Sequence, residues 1–261
     1  MHFGSPSQQG SPAERAAGNE LSRPIVFGGP LVTAVRCSEP AVVVSAICRS
    51  GAHWEEAVAD PIVFAGAVEW SGENPGISLK EAPDGPFVAL ASFFRVVLSP
   101  HGRGHALVLL QSPQEAHPPA ERGNYCLYDN ETLARYLISD FVSNFGAYKG
   151  LASLGSLIYR RLDSVEASGD PASVYTETVQ AGDLNVRLTW SGLGEPFCFA
   201  LPPEKSATGT HHMPSLFVGC QDATVKVNGR TLSGKPVPRE IAGRTITTAM
   251  LAFSETWIRA D

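Results

Sequence analysis

Apolar residues in this chain fall into short runs separated by clusters of turn-forming residues, a pattern that predicts strands. The two strongest runs are Phe87–Leu98 and Ala106–Leu110, on either side of the Gly-rich turn His101-Gly102-Arg103-Gly104. Both are nearly continuous in Val, Leu, Ala and Phe rather than alternating. They therefore predict a hairpin covered on both faces by other parts of the protein.

Further runs extend this picture in both directions. Pro24–Val35, Ala41–Cys48 and Pro61–Trp70 read as strands, with Gly66 placed as a bulge. Gly51–Asp60 reads as a loop or one helical turn. Ser71–Pro86 is rich in Gly and Pro and reads as a loop with a short edge strand at Ile77–Leu79. Towards the C-terminus, Val174–Val179 and Leu184–Trp190 flank Ala181-Gly182-Asp183. The second arm alternates Leu184, Val186, Leu188 and Trp190 with Asn185, Arg187 and Thr189, which predicts one wet face. Phe197–Leu201 and Ser215–Gly219 follow. Ala223–Val227 and Arg230–Leu232 then flank Asn228-Gly229, a dipeptide whose two residues both tolerate positive φ in a tight hairpin turn. Thr245–Trp257 reads as one long closing strand.

One segment has helical periodicity. Leu133, Leu137, Phe141 and Phe145 recur every fourth residue, Ile138 and Val142 widen the stripe, Asp129 or Asn130 can cap the start, and Gly146 the end. This predicts about four turns with one apolar face. Leu151–Arg161 is readable as a short helix or a strand. Sequential strands with short turns favour antiparallel pairing, and no alternation of strand and helix is visible. The expected fold is mainly β, of the α+β class: an antiparallel curved sheet or barrel with one main helix packed on a side or end.

Composition adds boundaries to that picture. Residues 1–23 are rich in Gly, Ser, Pro and Gln and are expected to form a disordered tail, without the apolar core segment of a signal peptide, ahead of a single globular domain over 24–261. The 261 residues are 43% hydrophobic and 18% charged, which allows a sizeable core. The net charge is -6, with a pI of about 5.7 and no cluster of Lys and Arg beyond Arg160-Arg161. Nucleic-acid binding needs clustered positive charge, so it is not expected. No apolar run approaches the roughly 20 residues of a membrane-spanning helix, and no membrane partner is expected. The five cysteines, Cys37, Cys48, Cys126, Cys198 and Cys220, are odd in number and contain no CxxC pair. They are expected to be free thiols, buried as small hydrophobes, in a cytoplasmic protein.

Candidate chemistry lies in three places. Glu255 sits in the closing strand, where alternation places Phe253, Glu255 and Trp257 on one face. A carboxylate beside two aromatics would have a raised pKa and could act as a general acid or base. The plainer reading is a rim position, or pairing with one of Arg95, Arg187, Arg239 and Arg244. The pair His211-His212 lies in the polar stretch Lys205–Met213, read as a loop, and can titrate near neutral pH. The plainer reading is a solvated loop pair. No further histidine at metal-ligand spacing accompanies this pair to complete a metal set, so no metal is expected. Arg95 interrupts a buried strand and needs a partner or a ligand anion; Glu177 is a second carboxylate, expected to face solvent. No nucleophile elbow, dinucleotide fingerprint or phosphate loop is present, and no nucleotide cofactor is expected.

Three functions follow. The first is an enzyme acting on a small organic molecule by acid–base chemistry in a barrel-like pocket. Glu255, His211 and His212 would be catalytic, and Arg95, Arg187, Trp190, Phe253 and Trp257 would bind the ligand. The second is a non-catalytic protein that holds a small apolar ligand in the same cup. The third is an assembly protein in which exposed strand edges pair with another copy, a homo-oligomer.

Overall fold

The computed structural model describes residues 32–36, 41–46, 63–170 and 172–260. The expected tail over 1–23 and the segment 51–60 lie outside them. In chain order the strands are β1 (Val32–Arg36), β2 (Ala41–Ala46), β3 (Val63–Ala65), β4 (Ala67–Glu73), β5 (Gly76–Lys80) and β6 (Phe87–Leu98). They continue with β7 (Gly104–Leu110), β8 (Asn124–Tyr128), β9 (Ile158–Arg161), β10 (Ser164–Gly169), β11 (Val174–Ala181) and β12 (Leu184–Leu193). The rest are β13 (Phe197–Leu201), β14 (His211–Val227), β15 (Arg230–Thr231), β16 (Pro238–Ile241), β17 (Arg244–Thr247) and β18 (Ala249–Arg259).

Thirteen strands form one curved sheet with the path β10-β11-β12-β14-β18-β4-β6-β7-β8-β9. The hairpin of β6 and β7 is part of it, in register from Leu90–Leu110 to Val96–Gly104. As its unbroken apolar pattern predicts, β6 is covered on both faces. Ala89, Ala91 and Phe93 enter one apolar cluster; Leu90, Phe94 and Val96 enter another. The first cluster joins side chains of β5 to β8 with Val179 of β11, Leu188 and Trp190 of β12, Val225 of β14 and Leu251 of β18. Strands so far apart along the path can share a core only if the sheet curls around it. The two end strands, β9 and β10, are joined by Leu162-Asp163. The Leu162 amide donates to Tyr128 O at 2.8 Å and the Asp163 amide to Gln180 O at 2.7 Å.

The second cluster covers the other face of β4, β6, β7 and β8 with the helical segment, through Leu133, Leu137, Phe141 and Val142. One main helix packed on a side of a curved sheet is the expected arrangement. The helix itself is shorter and less regular than its periodicity predicts. Asn130 caps α1 (Glu131–Tyr136), its side chain accepting from the Leu133 amide at 3.1 Å. A wide π turn then runs over Leu137–Phe141 and a tight 3-10 turn over Val142–Asn144, and Phe145 is already extended, so Gly146 caps nothing. Side chains compete for the carbonyls of this stretch. The Ser143 hydroxyl donates to Ser139 O at 2.7 Å and the Asn144 amide to Asp140 O at 2.9 Å.

The pairing is antiparallel except between β8 and β9, which are parallel. The sheet is therefore mixed, against the expectation of an antiparallel one. The reason is the helical segment, which crosses over the sheet between these strands and returns the chain in the same direction. Part of Leu151–Arg161 is β9, after a 3-10 turn over Ala152–Ser156. The expected closing strand is two strands. β17 pairs with β16 around Ala242-Gly243, both at positive φ (49° and 74°), and the chain breaks at Thr248 before β18. No helix among the described residues is long and apolar enough to cross a membrane. Cys126 and Cys220 are free and buried. Cys198 is disulfide-bonded, so the expectation of five free thiols fails there, and with it the thiol argument for a cytoplasmic setting. Cys37 and Cys48 lie outside the described residues.

Candidate active site

Glu255 is carried by β18, flanked by β14 and β4, with Ser215 and Gly72 opposite. It is only 3% exposed. Its Oε1 accepts from Trp257 Nε1 at 2.6 Å and from Asn74 Nδ2 at 3.4 Å. Burial pushes its pKa up to about 7, against the downward pull of these two donors and of the Arg239 charge.

The carboxyl stands at the wall of a cavity of about 270 Å³. Phe145, Met213, Phe217, Met250 and Trp257 supply its apolar lining; Asn74, Ser78, Ser92 and Thr248 supply neutral polar groups. Its charged residues are Glu255, Arg239 and Lys205, the last an exposed residue of a short turn ahead of β14. The π turn matters here. Phe141 and Phe145 both reach Trp257, at ring distances of 5.2 and 5.8 Å, and so fix the indole that holds Glu255.

Arg239 arrives on the β16–β17 hairpin. That hairpin is tied down by Thr248, whose hydroxyl donates to Ser78 O at 2.6 Å while accepting from the Val237 amide at 3.1 Å. Ile241 and Ile246 pack with Phe197 and Phe217. Burial lowers the pKa of Arg239, against a smaller upward pull from the Glu255 carboxylate, and among the described residues its buried Nε has no hydrogen-bond partner.

The structure brings together two of the residues singled out from the sequence, Glu255 and Trp257. Phe253 turns away and packs edge-on against Tyr175 at 5.5 Å, in the core on the other face. The cause is a bulge. β14 skips from Leu216, opposite Ser254, to Phe217, opposite Ala252, so Phe253 is an extra residue that inverts the alternation. Trp190 lies in that same core, its indole donating to Gly76 O at 3.1 Å. Arg187 is exposed.

The histidines open β14 rather than sitting in a loop, and they take opposite faces. His211 is buried against Phe141 and Trp257, with Nδ1 near the hydroxyls of Thr208 (2.8 Å) and Thr210 (3.0 Å). Burial lowers its pKa, with a smaller push in the same direction from Arg259, so it is neutral at pH 7. His212 stacks obliquely near Phe64 at 5.0 Å. His211 lies opposite Arg259, four residues along β18 from Glu255, or about 13 Å of strand. Trp257 stands between them, so the imidazole and carboxyl do not form a pair.

Arg95 has its partners inside the protein. It donates to Glu73 Oε2 and, at 2.8 Å, to Glu177 Oε1. Glu177 is fully buried, not solvent-facing as expected, and also accepts from the Tyr175 hydroxyl at 2.9 Å. Among the described residues no group of three or more His, Cys, Asp and Glu is placed to hold a metal ion.

Sequence reasoning named Arg239 only as one of four partners for Glu255, and missed Asn74 and Lys205. The usable signal for Arg239 was Ala242-Gly243 between Pro238–Ile241 and Arg244–Thr247, a short hairpin hidden by its prolines. No protein-family model, curated protein or solved structure matches the chain.

Proposed function

We propose that the chain is an enzyme acting on a small organic molecule by proton transfer, with Glu255 as the proton carrier. One observation carries this reading: a carboxyl group removed from water, with a pKa of about 7, at the wall of a cavity large enough for about nine water molecules. A group with that pKa is populated in both protonation states at neutral pH, which suits it to give a proton or to take one. Trp257 and Asn74 both address Oε1, which leaves Oε2 for the substrate. Phe145, Met213, Phe217 and Trp257 would hold the apolar body of the molecule and keep water from the transfer. His211 supports the Trp257 ring and carries no proton in this scheme. A barrel-like enclosure of the pocket is part of the same proposal.

The test is a mass-spectrometric screen of small-molecule mixtures with the full chain and with Glu255→Gln. A positioned acid or base contributes roughly 10²–10⁴ in rate. Compounds consumed by the wild type should therefore be consumed slower by about that factor in a variant that remains folded. Turnover retained by Glu255→Gln would sink the assignment. Compounds that bind without being altered would turn the reading to a non-catalytic ligand-binding protein using the same cavity.

A further inference from the structure

We propose that the molecule taken by this cavity is an organic monoanion whose carboxylate sits between Arg239 and Glu255. The inference rests on reading the cavity as the substrate site and adds the substrate's chemical class.

Arg239 supplies the cation of the cavity wall. A guanidinium cannot shed its charge in a protein, and it brings donors in a planar fork. In this chain it is delivered to the cavity wall by a hairpin anchored on both sides, yet among the described residues Nε is buried without an acceptor. Its electrostatic partner is Glu255, but the two form no ion pair: the Glu255 oxygen with hydrogen-bond partners is held by Trp257 and Asn74. Burial also favours the neutral form of Glu255, which further weakens it as a counterion. Among the described residues the only other charged one of the lining is Lys205, a second cation. With Glu255 protonated, the described lining thus holds positive charge without a counterion, and Arg239 Nε has no acceptor. A carboxylate answers both needs: its two oxygens match the guanidinium fork, and a protonated Glu255 can donate to it. The apolar wall restricts the remainder of the molecule to a compact, mostly hydrocarbon body.

This arrangement has a pH sign. The groups facing Glu255 are Trp257 on its own strand, Asn74 beyond β4 and Arg239 on β16, with Lys205 at the exposed edge of the cavity. Above pH about 7 Glu255 is itself an anion, so binding of a carboxylate should weaken there.

The experiment is isothermal titration of the full chain at pH 6 and pH 8 with three acids (benzoate, phenylacetate and hexanoate) and their three primary amides. The amides match the acids in shape and lack only the charge. The expected result is at least one acid binding about tenfold or more tighter than its amide at pH 6. That preference should shrink at pH 8 and be lost in Arg239→Gln. This comparison is made on the wild type first, so it stands even where Arg239→Gln folds poorly; Arg239→Lys, which keeps the charge but not the fork, should fall between. If an amide binds as well as its acid, the anionic class is overturned while the cavity remains a small-molecule site. If neither series binds, the reading of the cavity as a substrate site falls with it.

Discussion

The carboxyl of Glu255 holds its proton more tightly in the folded chain than in the unfolded one, because burial removes the water that would stabilise its charge. The consequence for stability has a definite sign. Below pH about 4.5 both states are protonated and the group costs nothing. As pH rises, the unfolded chain releases the proton while the folded chain retains it until about pH 7. Stability therefore falls across that window, by about 3 kcal/mol in total. Glu255→Gln has no proton to lose. Its stability advantage over wild type, from urea unfolding, should grow by about that amount between pH 4.5 and pH 8, and a flat difference would contradict burial of the ionisable group. His211 works in the opposite direction, since its lowered pKa costs stability as pH falls below 6.5, but it is common to both proteins and cancels in the difference. Glu255 was legible in the sequence because a lone carboxylate in an apolar strand demands a reason. Its neighbours were not. Alternation assigned Phe253 to its face, and only pairing with β14 reveals the bulge that moves it to the other. Arg239 was illegible for a different cause: its partner Glu255 is 16 residues away in sequence and reached only by a folded-over hairpin.

Asn130 decides more than the start of α1. Its Oδ1 caps the helix at the Leu133 amide, while its Nδ2 donates to His101 O at 2.9 Å and Arg103 O at 3.2 Å in the turn between β6 and β7. One side chain thus fastens the crossover segment to the central hairpin. Asn130→Ala loses both functions and should cost about 2 kcal/mol in urea unfolding, roughly half from the cap and half from the turn. Asn130→Asp keeps the cap and loses the donors, so it should cost about half as much; equal losses would mean that the turn contacts contribute nothing. Elements with strong periodicity were readable in this way from sequence: β6, β7, β11, β12 and the Asn228-Gly229 turn are where their patterns place them. The break of the helix into α, π and 3-10 turns was not. Leu133, Leu137, Phe141 and Phe145 keep a four-residue spacing throughout, and the departure arises from Ser139, Ser143 and Asn144, whose hydrogen bonds to carbonyls leave no mark on apolar periodicity. The parallel pairing of β8 and β9 was hidden likewise, because a single crossover in a chain of antiparallel hairpins alters no local pattern.

At the scale of the molecule, the network around Arg95 joins parts of the sheet that the strand order keeps far apart. Arg95 lies on β6 and Glu73 on the adjacent β4, but Glu177 lies on β11, on the opposite side of the curl. The contact exists only because the sheet curls around its core, so it reports on that curvature as no single strand pair does. Its charges do not balance, with two carboxylates against one guanidinium. Burial raises the pKa of Glu73, with Arg95 pulling it down and Glu177 pushing it up. Removing the cation is then the damaging change. Arg95→Met leaves Glu177 in an apolar core with only the Tyr175 hydroxyl for a partner, and should cost about 3–5 kcal/mol. Glu177→Gln removes the orphaned charge, so in the Arg95→Met background it should restore a large part of that loss, although alone it would be destabilising. A double-mutant cycle by urea unfolding separates the cases. Strong coupling of the two substitutions would place the pair in one buried network holding the curl. Simple additivity would mean that β6 and β11 are held together by Phe93, Tyr175 and their apolar neighbours alone.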